Sequence, residues 1–405
     1  MLREFQDKVR GWIAEALGEK RDASFGELVN TLPGVHPNDV AKELKYLGVN
    51  QLSSTKRQMN SAVVKQKVQL PIPHPLDYDW RFTEESCGLL LQQIEKIAAH
   101  ADSQVVFLGT PTLFRAVQDT SLAKRSFLID ASQEICSALQ SKDITRVFSI
   151  DLLVDELPAI NAAIIVADPP WYEEFTQAFL WASSRIALSG GIVLFSTPPV
   201  GTRPGVEQEW ERVVAFAKKC GLELRDLNQC LKYASPPFEK NALRIADHPY
   251  VDSEWRPGIL ARFEKIRDLQ VARPIVSSER VEWMEQSASG IRFRLRKKMP
   301  VAARNPVLVP LTHGEILASV SRRDPTRPLV DVWTSGNRVF ACADTGTLQW
   351  IIQAIQSGDQ VDTFIEKLIM RRLSSDERIL VKQAEEQVSA VIEHEQEEYA
   401  LKWEG

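Results

Sequence analysis

The apolar run from Ala162 stops abruptly at Asp168-Pro169-Pro170-Trp171. Such an ending presents hydrogen-bond acceptors. The Asp168 carboxylate and the Pro169 carbonyl accept, while two successive prolines remove backbone N–H donors and fix φ. Acceptors placed this way can hold an NH2 group so that its nitrogen lone pair faces an electrophile, and Trp171 offers a flat face to a base or an alkyl-amine. Other polar residues stand in matching positions: Gly109 with Thr110-Pro111-Thr112 behind it, then Asp130, then Asp151. A glycine allows close backbone approach to a ligand, and an acid ending the second strand can accept both hydroxyls of a ribose. The combination resembles a nucleoside site beside an amine site. Neither G-x-G-x-x-G nor G-x-x-x-x-G-K-[ST] occurs, which argues against NAD and FAD and excludes a P-loop.

These residues must be positioned by a sheet. Gln104 to Gly109, Ser126 to Asp130, Arg146 to Asp151, Ala162 to Asp168 and Gly191 to Thr197 read as five strands with room for helices between them. Alternating strand and helix patterns predict a Rossmann-like, doubly wound parallel α/β sheet, and continuous apolar strands mean that both faces are covered. Ligands of such sheets sit beyond the carboxyl ends of the strands, where all four polar strand endings lie. Thr197 to Gly205 and Tyr233 to Lys240 are loops over the same face, with Arg203 and Lys240 expected as solvated charges.

In this order Gly109, Asp130, Asp151 and Asp168-Pro169-Pro170-Trp171 resemble the class I S-adenosylmethionine-dependent transferases, over about residues 80 to 235. The resemblance implies that Gly109, with Thr110, borders the methionyl part of the cofactor, that Asp130 binds the ribose and that Asp151 bonds the adenine amino group. Amino methyltransferases of adenine or cytosine carry an (Asp/Asn)-Pro-Pro-aromatic loop, and the sequence is similar there. By that likeness Asp168, Pro169, Pro170 and Trp171 hold the acceptor amine. The layout is also similar to the branched-chain polyamine synthases, through Tyr78 to Ser86, Phe107-Leu108-Gly109, Leu128-Ile129-Asp130, Asp151-Leu152 and Asp168-Pro169-Pro170. It departs from them at Thr110-Pro111-Thr112, where that family places acids, and neutral groups do not attract a polyamine. Three functions stay open: methyl transfer from S-adenosylmethionine to an amino nitrogen, aminopropyl transfer from its decarboxylated form, and an inactive scaffold.

The remaining chain frames this domain. Residues 1–70 read as a winged-helix-like module, with a capping box at Ser24-Phe25-Gly26-Glu27 and a helix opened by Pro37. Pro71 to Pro75 reads as a stiff linker, and residues 71–255 hold the transferase-like domain. Residues 256–374 read as a small α+β domain in which Gly290 to Lys298 is an edge or surface strand with Arg292, Arg294 and Arg296 outward. Residues 375–405 form an acidic amphipathic helix with Val381, Ala384, Val388 and Val391 in one stripe.

With 405 residues, 44% of them hydrophobic, the chain can build two or three cores. A net charge of −5 speaks against binding nucleic acid through bulk charge. Five cysteines without a C-x-x-C pair and six dispersed histidines predict no protein-held metal. No signal-like opening and no stretch of about 18 apolar residues predict a cytoplasmic protein without a membrane span. The expected partners are an amine-bearing acceptor, nucleic acid among the candidates, and a second copy or another protein at the N- and C-terminal modules.

Overall fold

The computed structural model describes residues 2–49, 70–98, 103–141, 146–248, 251, 254–275, 281–298 and 305–403. Three helices open it: α1 (Leu2–Glu19), α2 (Phe25–Thr31) and α3 (Pro37–Tyr46). The capping box forms, with Ser24 accepting the Glu27 N–H and Glu27 accepting the Ser24 N–H. Val9, Ile13, Leu28, Val40 and Leu44 close the core of the three helices, joined by Leu243 and Trp255 from far along the chain. The polar segment expected to complete a winged module lies, apart from its ends, outside the described residues.

Next come β1 (Arg81–Phe82), α4 (Glu84–Ile97), β2 (Val105–Leu108), α5 (Pro111–Val117), β3 (Ser126–Asp130), α6 (Gln133–Leu139), β4 (Val147–Ser149), β5 (Ala162–Ala167), α7 (Glu173–Ile186), β6 (Ala187–Thr197), α8 (Val206–Lys219), β7 (Leu222–Ala234), α9 (Pro237–Ile245) and β8 (Arg256–Lys265). The eight strands form one sheet in the order β4-β3-β2-β5-β6-β8-β7-β1. From β4 to β6 neighbours are parallel, and β8, β7 and β1 add antiparallel pairings. The chain winds outward from β2 to β4, then crosses back to β5 on the other side of β2. The ends of β2 and β5 are therefore the topological switch point at which doubly wound sheets place their ligands. The expected fold class and its five strands are present, and every residue of β2 is buried. One boundary moves: β8 was assigned to the following module, yet it pairs with both β6 and β7 inside this sheet.

A second sheet, antiparallel, follows in the order β11-β13-β12-β10-β9, from β9 (Trp283–Ala288), β10 (Ile291–Arg296), β11 (Val309–Pro310), β12 (Val332–Thr334) and β13 (Val339–Ala341). Helices α10 (Thr345–Ser357), α11 (Val361–Ile369) and α12 (Ser375–Trp403) share its core, into which Val381, Ala384, Val388 and Val391 point. Here β10 corrects the sequence reading. It lies between β9 and β12, and Arg292 is only 2% exposed. Its guanidinium donates to Asp77 at 2.5 Å, to Glu285 at 2.6 Å and to the Ile72 carbonyl at 2.9 Å, while Arg294 reaches the same two acids. Arginines facing one way looked solvated, but ion pairs with Asp77 and Glu285 let Arg292 be buried and Arg294 partly buried.

Ile72 belongs to the stretch read as a linker, Pro71 to Pro75, and Asp77 follows it; the stretch is instead packed against the second sheet. His74 is fully buried. Its Nδ1 accepts the Leu76 N–H, so Nε2 carries the proton and donates to the Trp333 carbonyl at 3.1 Å. Burial and the arginines hold this imidazole neutral. No described helix is long and apolar enough to cross a membrane.

Candidate active site

Two strand tips meet at the switch point. The Asp168 N–H donates to the Leu108 carbonyl at 3.1 Å, carrying the β2–β5 ladder one residue beyond β5 and setting Asp168 beside Gly109. Gly109 has φ +62°, and a Cβ there would stand 3.2 Å from the Asp168 carbonyl and 3.2 Å from the Phe179 ring. Only glycine suits both the left-handed backbone and the close approach. Thr110 caps α5 and is 2% exposed, yet neither its hydroxyl nor that of Thr112 has a partner among the described residues.

At Asp168 the hydrogen bonds run in one direction. Trp171 Nε1 donates to Ser196 Oγ at 3.3 Å, and Ser196 Oγ lies 2.5 Å from the Tyr233 hydroxyl, which donates to the Asp168 carboxylate at 2.7 Å. Because Tyr233 spends its proton on Asp168, Ser196 must donate to Tyr233, and three donors in series end on one acceptor. Burial outweighs these bonds and Arg256, and pushes the Asp168 carboxyl up to about 7. At neutral pH it exchanges a proton readily.

Trp171 departs from expectation. Its ring is 7% exposed, not a free stacking face. Tyr233 meets it edge-on at 5.4 Å, and a Cβ on Gly258 would stand 3.1 Å from it. Its face is covered by the Arg256 guanidinium, 4.5 Å from the ring centre. The next residue, Tyr172, stands partly exposed at the mouth, with Arg203 and Arg322 over its ring at 5.3 and 4.7 Å. Arg203 is also paired with Glu209, so it is packed where a solvated charge was expected.

Asp130 accepts the Ser132 N–H at 2.8 Å, and burial with Asp79 and Asp77 nearby lifts its carboxyl to about 7. Asp79 is gripped by Arg81 through two nitrogens, at 3.1 and 2.7 Å. Asp79 raises both Asp130 and Asp168, so the ends of β3 and β5 share one electrostatic neighbourhood. Asp151 sits beyond β4, where its carboxylate accepts the Leu153 N–H at 2.9 Å in a local turn. A cleft lined by Trp171, Thr176, Thr197, Arg203 and Trp210 encloses about 10 Å3, about enough for one water.

Sequence reasoning missed Ser196, Tyr233, Asp79, Trp80 and Arg256. Ser196, a polar residue breaking the end of an apolar strand, carried a readable signal. Tyr233 opens a loop already expected over this face. Arg256 gave none, because its partners Trp80 and Trp171 are distant in the chain and contribute ring faces rather than charges.

No family model matches the chain, and no curated protein matches it. Among solved structures, a branched-chain polyamine synthase mutein from Thermus thermophilus, in complex with N4-aminopropylspermidine and 5'-methylthioadenosine, superposes with a TM-score of 0.51. The identity is 16%, over 69% of this chain and 96% of the synthase. The synthase without the mutein designation, from the same organism and with the same compounds, gives 0.49 at 14% identity, over 69% of this chain and 97% of its own. An N-methyltransferase from Bradyrhizobium japonicum gives 0.30 at 15% identity, over 45% of this chain and 96% of its own. The chain thus has a Rossmann-like fold, in an arrangement similar to that of a branched-chain polyamine synthase.

Proposed function

We propose that this protein is a transferase that methylates an amino nitrogen from S-adenosylmethionine, a nucleobase amine being the favoured acceptor. The observation that carries this reading is the donor series ending on Asp168 directly beside Gly109, at the crossover point of the sheet. Residues at these strand ends suit a nucleoside: Gly109 lets the tips of β2 and β5 approach, Thr110 has a buried hydroxyl without a partner among the described residues, and Asp130 offers a carboxylate to a ribose. Gly109, Thr110, Asp130 and Asp151 would hold the cofactor, which when bound supplies an electrophilic carbon on a sulfonium.

The chain's own residues do the rest. Asp168 accepts a hydrogen bond from the acceptor amine and fixes its lone pair, and the prolines keep competing N–H donors away. A nitrogen that gains a carbon substituent must lose a proton, and Asp168 Oδ, at about 7, is matched to take it. Tyr233 and Ser196 hold the carboxylate in place.

Decarboxylated cofactor would make the same site an aminopropyltransferase. One observation favours a second reading, an inactive scaffold: Asp168 and the Trp171 face are both already occupied from within the chain. In either case residues 1–70 and the modules after the large sheet would engage a second copy, another protein or a nucleic-acid acceptor. Calorimetry with S-adenosylmethionine, its decarboxylated form and methylthioadenosine separates the three. We expect preference for the carboxylated cofactor. Preference for the decarboxylated one selects aminopropyl transfer, and no binding selects the scaffold. Asp168→Asn should lower turnover on the order of 100-fold while leaving cofactor affinity within a few-fold.

A further inference from the structure

Arg256 begins β8 and carries its guanidinium into the wall of the site. It stands 4.1 Å from the ring centre of Trp80 and 4.5 Å from that of Trp171. Phe238 and Trp255 each meet Trp80 edge-on at 6.1 Å, and Tyr233 closes the Trp171 side. Aromatic faces around a positive charge are how proteins recognise ammonium ligands, through the negative potential of each ring. Two carboxylates reinforce that potential: Asp168, and Glu239, which is 2% exposed and accepts from His36 Nε2 at 3.1 Å. Among the described residues no side chain accepts a hydrogen bond from the partly exposed Arg256 guanidinium, which lies against the two ring faces as a cationic ligand would.

We infer that Arg256 is a specificity-determining residue: it is a built-in cation that fills the aromatic cage beside Asp168 and closes the amine site to polyamines, leaving it to acceptors whose reacting amine is uncharged. The inference rests on the reading of Asp168 as the partner of the acceptor amine. Two positive charges about 5 Å apart at an effective dielectric of about 20 repel enough to weaken binding on the order of 100-fold. The neutral Thr110-Pro111-Thr112 turn agrees, since it adds no charge that would offset the repulsion. The free N–H groups of Arg256 suit an amine carried next to its own carbonyl or ring nitrogen, as on a heterocyclic base.

Spermidine is the probe, titrated into the full chain without cofactor and followed by tryptophan fluorescence and calorimetry. The wild type is expected to show no saturable binding at millimolar concentration. Arg256→Met should gain spermidine binding on the order of 100-fold, and guanidinium ion at millimolar concentration should compete with it. Arg256→Lys, which keeps the charge, should stay closed. Saturable binding by the wild type or by Arg256→Lys overturns the inference, as does an Arg256→Met variant that melts like wild type and gains nothing. If Arg256→Met does not fold, the wild-type and lysine titrations still decide. Loss of the cofactor titration would remove the transferase reading without changing any of these results, so the two fail separately.

Discussion

In the small sheet Arg292 gives its guanidinium to Asp77, Glu285 and a carbonyl, and Glu395 collects the hydroxyls of Thr334 and Ser335 and the N–H of Gly336. At the tips of the large sheet Asp168 receives the Tyr233 hydroxyl, the Arg256 guanidinium lies against ring faces, and the hydroxyls of Thr110, Thr112 and Ser235 have no partner among the described residues. Both regions enclose charge, but the first meets its guanidinium groups with carboxylates, although the Nε atoms of Arg294 and Arg338 have no hydrogen-bond partner among the described residues. A buried polar group left without a partner costs free energy, so such pairing is what selection for stability alone produces. At the end of β2 the two unpartnered hydroxyls, of Thr110 and Thr112, stand next to Gly109, where a ligand could use them.

That contrast can be broken most directly at Arg292. Arg292→Met leaves Asp77 and Glu285 enclosed with one guanidinium between them, and should lower stability by about 3–5 kcal/mol in urea unfolding. A loss below about 1 kcal/mol would mean that the ion-pair network is ornamental and the contrast empty.

The pH dependence of melting sharpens it. Burial lifts Asp130, Asp168 and Glu395 each to about 7. In the unfolded chain they release protons near 4, so between about pH 4 and 7 the folded state binds more protons. These three carboxyls should therefore lower stability as pH rises through that window, against the buried neutral His74, whose contribution runs the other way. Asp168→Asn and Glu395→Gln should each make the fall shallower in calorimetric scans from acid to neutral pH. A pH profile of melting that neither variant changes would contradict the assignment for both regions.

The smallest effect compares two threonines. Thr334 donates to Glu395, whereas Thr110 has no partner. Thr334→Val should cost about 1–2 kcal/mol, and Thr110→Val should be neutral or stabilising by up to about 1 kcal/mol. Equal losses would show that the hydroxyl at the end of β2 is satisfied after all.

The sequence made β2, β3, β5 and β6 legible, because strands covered on both faces are written as unbroken apolar runs. It hid β8, whose opening Arg256-Pro257-Gly258 looks like a boundary although the strand pairs on both sides. It misled at β10, where alternating arginines imply water and only the fold reveals Asp77 waiting for them. At the site, Gly109 and Asp168 were readable because their positions follow from strand ends alone. Tyr233 and Arg256 were not, since they reach Asp168 and Trp171 from 65 and 85 positions away through geometry that no local pattern encodes.

His36 bonds to Glu239 across 203 positions, and Leu243 and Trp255 complete the core of the first three helices. A ribosome adding roughly 5–20 residues per second delivers that surface on the order of ten seconds or more after the helices emerge. Until then the side of those helices that Leu243 and Trp255 cover has no partner from that part of the chain.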